Sequence, residues 1–186
     1  MIRAFIPGFN DDFPKAITEV IDPMPRIFAA LCFLIVGSVC FSQTPRITGV
    51  QVTHYGIYTG NQGTRQPTAS GVTYSEYDGL RLAETTRTVA LQRGVNFGFE
   101  YTITGSPDKA NVPIRIVVRF PAPGLNKPGS STPLTDASFD LTKQIGVSAW
   151  NGYSIDEDWE MVPGQWSFEI WSNGQKLETQ TFTLIP

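Results

Sequence analysis

The chain has 186 residues, a formal net charge of −3, 41% hydrophobic and 17% charged residues, one His and two Cys. That length is the size of one domain, and the apolar share is too high for disorder. The mild acidity excludes a broad phosphate-binding surface and so a nucleic-acid partner, one His excludes a multi-histidine metal site, and two Cys cannot make a disulfide framework.

The first predicted element is a leader. Arg26 precedes Ile27–Phe41, an apolar run of small and branched residues, and Ser42 offers a cleavage position behind Cys40 and Phe41. Fifteen helical residues span ~22 Å, short of the ~30 Å hydrocarbon core, so a cleaved signal peptide fits better than a retained anchor. Neither Cys32 after Leu31 nor Cys40 after Val39 has the small preceding residue of a lipoprotein site. Residues 1–23 carry Asp11, Asp12, Glu19 and Asp22 against Arg3 and Lys15, the wrong charge for the start of a signal. The expected arrangement is an upstream extension over 1–23 with the true start at Met24, a signal peptide over 24–42, and a domain over 46–186. Both Cys leave with the leader. Export to the periplasm or beyond follows, with the membrane met only through the uncleaved signal.

From residue 46 the dominant period is two. Ile47–Tyr58 reads as a strand, Thr59–Asp78 as a polar, Gly-rich surface excursion, and Leu80–Leu91 as a second strand. Val95, Phe97, Phe99, Tyr101 and Ile103 alternate with polar residues. So do Val112, Ile114, Ile116, Val118 and Phe120, with Arg115 and Arg119 opposite. The Gly105–Asn111 segment between these two strands suits a hairpin, which would set Arg115 beside Glu100. Pro113 near a strand start implies that its missing N–H faces no ladder partner. Residues 121–135 hold four Pro and read as a loop crossing between sheets. Trp166, Phe168 and Ile170 alternate before Asn173-Gly174, a tight-turn pair, and Leu177–Leu184 returns. Seven or eight short strands with frequent turns predict an all-β fold, a single antiparallel β-sandwich.

The stretches His54–Tyr58, Gly94–Phe99 and Gly152–Trp166 resemble the bacterial domain-of-unknown-function family numbered 3859, over residues 46–184. The Gly164-x-Trp166-x-Phe168 run also resembles the strand-F entry of immunoglobulin-like domains, with Trp where Tyr is usual. The resemblance implies an uncharacterised exported domain with an immunoglobulin-like sandwich, and it brings no activity with it.

Few residues offer chemistry. Asp156, Asp158 and Glu160 would share one face of an extended segment, or converge in a bend on one Ca²⁺; Met161 stands where an EF-hand needs Gly. The competing expectation is a solvated acidic corner. His54 shares a predicted face with Val50 and Val52 and is expected to be half-buried, and no Gly-x-Ser-x-Gly accompanies it. Trp166 and Phe168 belong to the core. Trp150, Tyr153, Trp159 and Trp171, near turns or on the opposite face, are the candidate ligand or partner surface. The expected function is that of an exported, non-catalytic module binding a protein or cell-envelope component. The alternatives are a carbohydrate- or Ca²⁺-dependent binding module built on the corner around Asp156–Trp159 and, third, a hydrolase with acidic catalysis. No cofactor other than that Ca²⁺ is expected.

Overall fold

The computed structural model describes residues 43–67 and 73–186, so the expected leader and the 1–23 extension lie outside the described residues. Among the described residues there are nine strands: β1 Arg46–Pro67, β2 Thr73–Glu84, β3 Thr88–Ala90, β4 Asn96–Ser106, β5 Asn111–Arg119, β6 Asp136–Gln144, β7 Ser148–Ser154, β8 Gly164–Ser172 and β9 Gln175–Ile185. They form two sheets, ordered β2-β1-β4-β7 and β3-β9-β8-β5-β6. All pairs between these strands are antiparallel except the short β3–β9 pair.

The alternating sequences dictate the core. Phe97, Phe99, Tyr101 and Ile103 of β4 point inward from the first sheet, and Val112, Ile114, Ile116 and Val118 of β5 point inward from the second. Trp166, Phe168 and Ile170 of β8 and Phe182 and Leu184 of β9 complete the filling. Phe97 sits at the centre, edge-on to Trp166 at 5.8 Å, Phe168 at 5.8 Å and Phe182 at 5.4 Å. Such contacts add ~0.5–1.5 kcal/mol each beyond burial itself.

Several connections differ from the sequence reading. The β4–β5 segment is no hairpin: β4 pairs with β1 and β7, β5 with β6 and β8, so the chain arches between sheets. Facing the two strands across the core buries both apolar stripes at once. Arg115 therefore meets Asp140 on β6 through two hydrogen bonds of 2.8 and 2.9 Å, and Glu100 is left to another partner. The Pro-rich segment does not cross between sheets; it returns from β5 to its neighbour β6, tied by Leu125 and Leu134 exchanging backbone hydrogen bonds of 2.9 Å. Leu80–Leu91 is not one strand. β2 ends at Glu84 and the chain passes to the second sheet, where Arg87 lies 4.0 Å over the Tyr55 ring and donates to the Thr181 carbonyl and the Gln180 side chain. The polar stretch after Tyr58 continues β1 as a ribbon paired with β2 alone. Pro113 precedes the β5–β8 register, which begins at Arg115, so no hydrogen bond of that ladder is lost.

Candidate functional site

The acidic corner follows β7. Its short 3-10 turn, Asp158–Glu160, puts Glu160 inside, only 8% exposed. One carboxylate oxygen accepts the Tyr153 hydroxyl at 2.7 Å; the other accepts the backbone N–H groups of Asp156 at 2.8 Å and Glu157 at 2.9 Å. Burial first, then the Glu160 charge and its hydrogen bond, push the Tyr153 phenol far above its ordinary range. Asp156 accepts the Ser154 hydroxyl at 2.7 Å. The Asp158 side chain is 85% exposed and lies 3.6 Å from Arg93. The three carboxylates thus hold separate positions, and among the described residues no three His, Cys, Asp or Glu side chains are grouped as a metal site requires.

The four candidate aromatics do not form one surface. Tyr153 packs inward, 4.9 Å from the Trp166 ring and 5.9 Å from Phe120, and Trp159 packs against the same core. Trp171 lies on the outer face of the second sheet, donating its indole N–H to Glu169 at 2.8 Å. Glu169 is buried there beneath Arg119, which grips it at 3.1 and 3.3 Å, and Lys176 at 3.4 Å. Burial raises the Glu169 pKa, but the hydrogen bonds from Arg119, Trp171 and Lys176 outweigh it, and the carboxyl is held below its usual range.

Trp150 occupies the outer face of the first sheet. Gly56, Gly98 and Gly152 stand in register on β1, β4 and β7, a lane without side chains across three strands. The indole covers the Gly98–Gly152 end of that lane: a Cβ at Gly98 would lie 2.8 Å, and at Gly152 2.4 Å, from its Cζ2. Tyr58 meets the indole edge-on at 5.7 Å, and Tyr77 from the ribbon approaches it at 5.7 Å. Tyr58 is only 4% exposed. Burial, and next the nearby Glu100 charge, push its pKa up to about 12. Neither the Tyr58 hydroxyl proton nor the Trp150 indole N–H has a hydrogen-bond acceptor among the described residues.

His54 joins this face instead of the half-buried place expected beside Val50 and Val52. A bulge between Val52 and His54 inserts Thr53, so Val52 opposes inward Tyr101 while His54 opposes outward Glu100. The two side chains, 58% and 40% exposed, meet at 2.9 Å through His54 Nδ1 and Glu100 Oε2. Tyr58, Tyr77 and Glu100 were not among the site candidates of the sequence reasoning, in which Glu100 stood only as the expected partner of Arg115. The available signal was the recurrence of Gly among outward strand positions, which marks a close approach over the sheet.

Residues 47–184 match the family described as "Domain of unknown function (DUF3859)". No curated protein matches the chain. Among solved structures, the chain is similar to an immunoglobulin-like protein from Pseudomonas aeruginosa, with 19% identity and a TM-score of 0.50, covering 77% of this chain and 98% of that one. It is also similar to a Pseudomonas fluorescens alkylpurine DNA glycosylase bound to DNA containing an abasic site analog, with 14% identity and a TM-score of 0.37 over 74% of this chain and 31% of that one. The first of these likenesses is one of fold. The chain belongs to the family of the domain of unknown function DUF3859, and its fold is an immunoglobulin-like β-sandwich.

Proposed function

We propose that the protein is an exported, non-catalytic module that binds a protein or cell-envelope component through the outer face of its first sheet. The supporting observation is the Trp150 site: a half-buried indole on a solvent-side face, flanked by Tyr58 and Tyr77, with two hydrogen-bond donors unmet. A buried indole N–H or phenol O–H is ordinarily satisfied, and amphipathic rings placed at a sheet surface are the usual anchors of binding faces.

The test is retention of envelope material on the immobilised protein. Isolated cell envelopes, separated into solubilised proteins and sacculi, are passed over wild type and over Trp150→Phe and His54→Ala variants. A component retained by wild type and lost from the variants supports the proposal. Equal retention by all three, or none by wild type, overturns it.

A further inference from the structure

We infer that β7 is the pairing edge of a two-fold symmetric dimer, in which two copies of this chain join their first sheets into one. The inference does not depend on what the Trp150 face binds. A sheet edge offers unpaired N–H and C=O groups to any strand, and proteins guard it with charge, shortness or bulges. Among the described residues the sandwich has four edges, at β2 and β7 of the first sheet and at β3 and β6 of the second. β2 carries Asp78, Arg81 and Glu84 and pairs with β1 through several register irregularities. β3 is three residues long. β6 carries Asp136, Asp140 and Lys143. β7 holds no charged residue and no Pro, and its seven residues pair with β4 without a shift. Of the four edges it alone has no guard.

The hydrogen-bond pattern tells which backbone groups of β7 are open. On the β7 side of β4, the Val95 carbonyl accepts the Ile155 N–H at 3.0 Å and the Ile103 carbonyl accepts the Gly146 N–H at 2.9 Å. On the β1 side, the Glu100 carbonyl accepts the Thr53 hydroxyl at 3.3 Å. Backbone groups alternate in direction along an antiparallel ladder. Odd-numbered β4 residues therefore address β7, and their register partners Ala149, Asn151 and Tyr153 address them in return. Ser148, Trp150, Gly152 and Ser154 turn their N–H and C=O groups to the open edge. Ser148 is exposed there, and the other three are half-buried.

A second copy of the same strand fits this edge. With the two-fold axis at Asn151, antiparallel pairing sets Trp150 opposite Gly152 of the second copy, Ala149 opposite its Tyr153, and Ser148 opposite its Ser154. Each ring then faces a residue with little or no side chain, and no like charges meet, so the cross-strand contacts suit one another in size and charge. The pairs that exchange backbone hydrogen bonds, Ser148 with Ser154 and Trp150 with Gly152, are those whose groups are open. An axis at Trp150 would instead set indole against indole and leave Tyr153 and Ser154 unpaired. The same full-length pairing of β6 would bring Asp140 against its own copy, which disfavours that edge. In the β7 dimer the first sheet continues from one copy into the other, with both Trp150 rings on the same side of it.

Protein expressed from the full chain tests the inference. Sedimentation equilibrium from about 1 µM to about 1 mM is expected to show one chain at the low end and two at the high end. Residue-resolved amide exchange is expected to slow about tenfold between those two ends at Trp150 and Gly152, whose N–H groups become bonded only in the dimer. Ser148→Pro removes an N–H that faces the open edge and no bond of the β4–β7 ladder. It is expected to weaken association about tenfold, while Ser148→Ala leaves it unchanged. A single chain at every concentration overturns the inference. So does a dimer whose Trp150 and Gly152 amides exchange as fast as in the single chain, since another surface then carries it. A folded Ser148→Pro variant that dimerises like wild type overturns it too, and the exchange comparison, made on the unaltered chain, decides the matter if that variant does not fold.

Discussion

Replacing Glu160 separates a structural carboxylate from a ligand-binding one. Its two oxygens accept three donors: the Tyr153 hydroxyl and the N–H groups of Asp156 and Glu157. Glu160→Ala leaves all three without that acceptor. Each unmet buried donor costs ~1–3 kcal/mol, and water at the rim of the turn recovers part, so a loss of roughly 2–4 kcal/mol is expected. For a domain of this size that corresponds to a melting temperature roughly 7–15 °C lower. Glu160→Gln keeps one oxygen for the two N–H groups and turns an amide toward the Tyr153 oxygen; it loses charge assistance and costs about 1 kcal/mol. Asp158→Asn, on an exposed side chain, is expected within ±0.5 kcal/mol or so. Urea unfolding followed by Trp fluorescence gives all three values. Equal effects of Glu160→Ala and Asp158→Asn would refute the account of the corner, and so would a Gln variant as unstable as the Ala variant.

Further outcomes follow from the same structure. Because Glu160 is committed to three donors, millimolar Ca²⁺ or EDTA is expected to leave the melting temperature unchanged; a rise with Ca²⁺ that Asp158→Asn abolishes would restore the metal reading. The Glu169 carboxyl is held below its usual range, so the folded protein binds this proton less readily than the unfolded chain. The stability it contributes is present above the unfolded value of about 4.3 and is lost as pH falls through the lower folded value, and urea midpoints of Glu169→Gln should show a shallower acid decline than wild type. Gly98→Ala sets a Cβ 2.4 Å from the Asn151 carbonyl oxygen and 2.6 Å from Gly152 Cα, so it should cost at least ~1–3 kcal/mol and disturb Trp150 fluorescence, whereas Gly49→Ala, with its nearest neighbour at 3.4 Å, should be tolerated. Reading residues 24–42 as a cleaved leader is tested by N-terminal sequencing of the mature protein, expected to start at Gln43, and recovery of a peptide from residues 1–23 would remove Met24 as the start.

The period-two pattern by itself determined the class of fold and most of the core. Strict alternation in Phe97–Ile103, Val112–Phe120 and Trp166–Ile170 tells which side chains share a face, since successive strand residues point oppositely. Asn173-Gly174 marked its hairpin for an equally local reason, both residues taking positive φ. Pairing and parity are not local. Whether Arg115 meets Glu100 or Asp140 depends on which sheet each strand enters, which is decided by burying two apolar stripes against each other. One inserted residue, Thr53, reverses the faces that follow it and moves His54 from the side of Val50 and Val52 to the side of Glu100. The same logic placed the acidic corner and the aromatics. Glu160 turns inward because Tyr153 and two backbone N–H groups need its oxygens, and Trp150 finds room on the outer face because Gly98 and Gly152, from distant segments, come into register beneath it. Sequence periodicity reports faces; only the assembled sheets decide what each face meets.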